Sequence, residues 1–116
     1  MSNLSQGAKG EDIAVDFLMK KGYRVLTRNF RFQHGEIDII AEDGQVLVFV
    51  EVKTRRSLEY GTPEESISKR KRKLLRRTAD GYMYTKKIED RECRCDVIAI
   101  EYQNNIPEIR HLVDAF

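Results

Sequence analysis

The chain has 116 residues, 41% hydrophobic and 34% charged, which suits a single soluble domain (residues 1–116) around one core. No apolar stretch reaches the length of a transmembrane helix, which excludes a helical membrane protein, and the polar N-terminus has no signal-peptide pattern, so the expected location is the cytoplasm. Net charge is only +2, but residues 69–77 hold seven bases and no acid, which leaves −5 over the rest; that asymmetry points to a polyanionic partner such as nucleic acid, or to an acidic membrane surface.

Residues from about Ser5 to Lys21 read as a helix, with Ile13, Ala14, Phe17 and Leu18 as its apolar stripe and Gly22 as its C-cap. Glu11 lies three residues before Ala14, on the side of that stripe. Its plainest role is to complement the helix dipole from the first turn. Asp12 and Asp16 can do that from the outer face, so the inward Glu11 is a candidate for a site. A strand is expected over Tyr23 to Phe32, followed by strands at about 35–42 and 45–53.

These last two strands carry the most informative residues. Val46-Leu47-Val48-Phe49-Val50 reads as a strand buried on both faces, and it runs into Glu51-Val52-Lys53. Alternation puts Glu51 and Lys53 on one face and Val50 and Val52 on the other. Asp38 stands within its own apolar run, Ile37-Asp38-Ile39-Ile40-Ala41. A hairpin turning near Gly44 places position 38 roughly opposite position 50, close to Glu51. Buried charges need partners or a metal. Two carboxylates and a lysine at one sheet end suit Mg²⁺ and an activated water better than a surface ion pair.

Thr54 to Glu65 reads as a loop beside that strand end, a flap carrying Arg55, Arg56, Tyr60, Gly61 and Pro63. A long helix is then expected from residue 64 or 65 to Tyr84, opened by two acids as the dipole prefers. Its stripe is Ile67, Leu74, Leu75, Thr78, Tyr82 and Met83, and Lys71 falls inside it. The other bases, Lys69, Arg70, Arg72, Lys73, Arg76 and Arg77, spread over the remaining faces. Any one of them alone is an ordinary solvated side chain, but the uninterrupted block suits phosphate binding. The apolar face has no Trp or Phe, which argues against a membrane.

Arg91 to Glu101 reads as a strand, and Ile106 to Val113 as an edge strand with Pro107 near its start. Cys93 and Cys95 share one face of the former, a spacing that suits neither an ordinary disulfide nor a four-ligand zinc site. They read as free thiols in a reducing compartment. His34 and His111 show no metal-ligand spacing. The order is α-β-β-β-α-β-β.

With these motifs the chain resembles the PD-(D/E)xK nuclease superfamily, and within it the YraN-like family, related in fold to Holliday junction resolvases. The residues that carry the resemblance are Gly7-Ala8-Lys9-Gly10-Glu11, Gly35-Glu36-Ile37-Asp38, Phe49-Val50-Glu51-Val52-Lys53, Tyr60-Gly61, the Lys71 helix, Cys95-Asp96-Val97-Ile98 and Asp114-Ala115-Phe116. It departs from the pattern at Ile37, where the superfamily has Pro, at Cys95, often Phe in relatives, and at Arg72, often Gln.

The resemblance implies an α/β fold with a restriction-endonuclease-like core, α-β-β-β-α-β, in which helices flank a mixed central sheet. It implies that Asp38, Glu51 and the Val52 backbone carbonyl hold Mg²⁺ or Mn²⁺, that Glu11 completes the site, and that Lys53 positions the attacking water. The expected activity is metal-dependent endonucleolytic cleavage of DNA, branched DNA included. The expected nucleic-acid surface is Arg55, Arg56 and the bases from Lys69 to Arg77. Related resolvases act as dimers, so a homodimer is also expected. The competing readings are a nucleic-acid-binding accessory protein without turnover and a small adaptor whose basic helix docks on an acidic protein. An intact Glu-x-Lys favours the nuclease over both, because a pure binder would not need it.

Overall fold

The structure is a computed structural model that describes residues 6–56 and 61–116, with side chains from residue 9 onward. The elements are α1 (Gln6–Lys20), β1 (Arg24–Phe32), β2 (Gly35–Asp43), β3 (Val46–Arg55), a 3₁₀ turn (Glu64–Ser66), α2 (Lys69–Thr85), β4 (Cys93–Gln103) and β5 (Ile106–Leu112). This is the expected α-β-β-β-α-β-β order and a restriction-endonuclease-like core. The strands form one sheet in the order β1-β2-β3-β4-β5. β3 and β4 are parallel and every other pair is antiparallel. Among the described residues no helix is long and apolar enough to cross a membrane.

Each face of the sheet is covered by one helix. Ala14 and Leu18 of α1 pack on Ile39, Ala41, Val48, Val50, Ile98 and Ile100. Leu75, Ala79 and Tyr82 of α2 pack on Ile40, Leu47, Phe49 and Val97 on the opposite side. β3 is therefore apolar on both faces, which is why its sequence runs Val-Leu-Val-Phe-Val without alternation.

The second helix starts later than its acidic opening suggests. Glu64 and Glu65 belong to the separate 3₁₀ turn, and Ile67 is extended (φ −87°, ψ 102°) and buried. Ser68 is the real N-cap, its hydroxyl accepting the Lys71 backbone N–H at 3.1 Å. The hydroxyl that directly precedes the basic block is a stronger start signal than the two acids. Glu64 instead pairs with Arg110 of β5, which also reaches Glu101. β3 also runs further than expected, to Arg55, so the loop beside it is shorter. Residues 57–60, Tyr60 among them, lie outside the described residues.

Candidate active site

The β2–β3 register pairs Ile39 with Val50, so Asp38 stands level with Glu51, one residue beyond the expected position 50. The β2–β3 pairing runs no further than Ile39 and Val50. Beyond that point β3 stays paired with β4 as far as Arg55–Glu101, while β2 stays paired with β1. The two strands part, and the Val52 backbone N–H donates to Asp38 Oδ2 at 2.7 Å. A carboxylate has replaced a strand partner, which keeps the amide satisfied and fixes the acid in the split.

A second irregularity sits beside it. Ile39 packs under α1, yet Ile37 packs under α2. Two residues apart on one strand, they should share a face. Between the β1–β2 pairs Arg28–Ile39 and Phe30–Ile37 the facing residues are Asn29 and Asp38, and Asn29 is left-handed (φ 55°). Asn tolerates that conformation better than most residues. The kink turns Phe30 onto Tyr82 of α2, with ring centroids 5.1 Å apart. The Asn29 side chain also hydrogen-bonds Glu11.

Glu11 reaches the same place from α1. Arg28 Nη2 lies 3.5 Å from Glu11 Oε1 and 2.8 Å from Asp12 Oδ1. Burial raises the Glu11 carboxyl above its ordinary pKa, and the Asp38 charge adds to that. The approach of α1 depends on Gly10, because a Cβ there would sit 2.6 Å from Thr54 Oγ1. Asn29, Arg28 and the Gly10–Thr54 contact were not singled out from the sequence. An Asn inside a strand pattern was the available signal for the first.

Glu51 is buried, its side chain 4% exposed, and two ammonium groups approach the same oxygen. Lys53 Nζ is 3.8 Å and Lys71 Nζ 3.6 Å from Oε2. Lys71 arrives from the first turn of α2, as its place on the inward stripe suggests. Asp38 is pushed up to about 8, first by burial, then by the hydrogen bond and charge of Glu51; the Val52 amide opposes this without winning. Two carboxyls this close retain a proton between them, and a divalent cation is the other species that can relieve their repulsion.

The donors are all oxygen, which suits a hard cation such as Mg²⁺ or Mn²⁺. Asp38 and Glu51 are the close pair. Glu11 stands a step away, turned toward Arg28 and Asn29, and among the described residues no three such side chains enclose an ion by themselves. That pattern fits a cation that keeps several waters and takes further ligands from a phosphate. Val52 lines the same open cleft, of about 500 Å³, with Glu11, Asp38, Lys53, Thr54, Arg55 and Arg56. The Arg56 guanidinium stacks 4.4 Å from the Tyr102 ring centroid.

The basic block divides into two flanks. Arg70, Lys73 and Arg77 line a second cleft of about 500 Å³ with His34, at the tip of the β1–β2 hairpin. Arg72 and Arg76 face the other way, toward Phe116 at the C-terminus. Among the described residues, Lys71 alone of the seven has a carboxylate partner, whereas Arg28, Arg31, Arg91, Arg94 and Arg110 are all paired.

Sequence comparison agrees with this architecture. The profile described as "Uncharacterised protein family UPF0102" matches residues 10–100, a span that contains Glu11, Asp38, Glu51, Lys53 and Lys71. The chain belongs to the UPF0102 family. This is the YraN-like family of the sequence resemblance. A UPF0102 protein of Geobacter metallireducens is 41% identical over 116 residues, covering 100% of this chain and 95% of the relative. One from Persephonella marina is 46% identical over 109 residues, 94% of this chain and 93% of its own. One from Symbiobacterium thermophilum is 50% identical over 95 residues, 82% and 80% respectively.

Proposed function

We propose that this UPF0102 protein is a Mg²⁺- or Mn²⁺-dependent nuclease acting on DNA. The observation that carries the reading is the convergence of Asp38, Glu51 and Lys53 where β2 and β3 separate. Asp38 and Glu51 would hold the metal, with the Val52 carbonyl beside them and Glu11 reaching it through water. The bound metal supplies a water of lowered pKa and a charge for the phosphoryl oxygens. Lys53 Nζ lies beside Glu51 at the rim of the open cleft and offers fixed positive charge where the attacked phosphate accumulates negative charge. Arg55 and Arg56 flank the same cleft, and Arg70, Lys73 and Arg77, which have no carboxylate partner among the described residues, provide cations for neighbouring phosphates.

The test is a titration of Mg²⁺ or Mn²⁺ into the protein with linear, nicked and branched DNA, beside Lys53→Ala and Asp38→Asn. Metal-dependent cleavage lost in both variants supports the reading. The second reading is a nucleic-acid-binding accessory protein without turnover. It is favoured by the full neutralisation of Glu51 by two lysines. DNA binding with no cleavage at any metal concentration would establish it instead.

A further inference from the structure

We infer that Lys71 is a resident counter-ion of Glu51 that competes with the divalent cation for that carboxylate. The inference rests on the reading of Asp38 and Glu51 as a metal-binding pair. A carboxylate as buried as Glu51 must be neutralised, and the two groups that do so meet at one oxygen, Oε2. They are not equivalent. Lys53 is two residues along the same strand, so its position is tied to that of Glu51. Lys71 comes from another element, its backbone fixed by the Ser68 cap while its side chain is 37% exposed. It can leave for solvent without burying anything.

Glu51 does not line the open cleft that Asp38 and Glu11 face. A dication approaching Asp38 therefore meets a carboxylate already screened by two ammoniums and is repelled by both. Releasing Lys71 leaves Lys53 alone to offset Glu51 and an ionised Asp38, and the freed, solvent-exposed ammonium takes a phosphate as its next partner. The site then loads metal poorly on its own and well once an anion draws Lys71 away.

The test measures Mn²⁺ alone, without nucleic acid, by electron paramagnetic resonance of free Mn²⁺ over the full chain. Lys71→Met is expected to bind Mn²⁺ about tenfold more tightly than wild type, a difference of about 1.4 kcal/mol. Lys71→Arg, which keeps the charge, is expected to stay close to wild type, and Glu51→Gln to lose binding. If Lys71→Met binds no more tightly than wild type while Glu51→Gln loses Mn²⁺, the counter-ion role is overturned and the metal site stands. If wild type, Lys71→Met and Glu51→Gln all fail to bind Mn²⁺ at millimolar concentration, the metal reading itself falls and this inference goes with it.

Discussion

Asp38 Oδ2 accepts the Val52 backbone N–H across the point where β2 and β3 separate. One bond thus joins the split in the sheet to the placement of a candidate metal ligand. It favours the ionised acid, while burial and the neighbouring Glu51 favour the neutral one, and the latter dominate.

That balance gives a pH signature. Asp38 has a folded pKa near 8 against an ordinary value of 3.8, so the folded state holds a proton that the unfolded state releases. Its contribution to stability is complete below the ordinary value and is lost as pH rises through about 8. Asp38→Asn keeps an acceptor for Val52 and gains a donor for Glu51. It should gain on wild type as pH rises from 5 to 8.5, by up to about 1.4 kcal/mol for each pH unit below the folded value of about 8 and little above it. Urea denaturation at the two pH values checks this; equal pH dependence of the two proteins would refute the shared-proton arrangement.

Asp96 should behave in the opposite sense. It is fully buried and accepts from Arg94 Nε and Nη2 at 2.9 Å, from the Asp114 backbone N–H at 2.9 Å, and pairs with His111 Nε2 at 2.7 Å. Its pKa is lowered by those partners in spite of its burial. The stability it contributes is present above the ordinary carboxylate value and lost as pH falls through the folded one. Asp96→Ala leaves Arg94 without its buried partner and should cost about 3–5 kcal/mol. Mn²⁺ affinity of the folded fraction should not change, because Asp96 stands beside Val50 on the α1 face of the sheet with Arg94 and His111, whereas Glu51 turns to the opposite face, toward Lys71 of α2. Loss of metal binding in a folded Asp96 variant would move this residue into the site.

Gly10 sets how closely α1 lies on β3. Gly10→Ala gains about 1 kcal/mol of helix propensity. It also places a methyl 2.6 Å from Thr54 Oγ1, short of any normal contact. Overpacking of this kind costs about 1–3 kcal/mol, so the net change should be destabilising. Adding Thr54→Ala should recover most of the loss. A thermal melt of the single and double variants decides it; a Gly10→Ala protein as stable as wild type would show that α1 can shift without cost.

The two flanks of α2 should separate in DNA binding. Charge reversal at Arg70, Lys73 and Arg77 removes the row that shares a cleft with His34 and should flatten the log–log salt dependence of binding by about 2–3, at roughly 0.9 per lost contact. Reversal at Arg72 and Arg76, which face the C-terminus, should change the slope by less than about 1. Binding that responds equally per residue on both flanks would mean that the whole helix, not one side, tracks the backbone.

Local sequence determined most of the elements. The unbroken apolar run before Glu51 required a strand covered on both sides, and two amphipathic helices were present to cover it. Alternation placed Glu51 with Lys53, and the inward stripe turned Lys71 toward the sheet, because both follow from periods of 2.0 and 3.6 within one element. Tertiary structure decided what depends on pairs of elements. The register that brings Asp38 level with Glu51 is set by how the hairpin packs between two helices, and the left-handed Asn29 that re-aims Ile37 goes with the packing of Phe30 on Tyr82 and the Asn29–Glu11 hydrogen bond. The start of α2 was decided by burial of Ile67, which strips Glu64 from the helix and leaves Ser68 to cap it. The division of one basic block into two flanks also had to await the fold, since a charge run has no direction until its neighbours are in place.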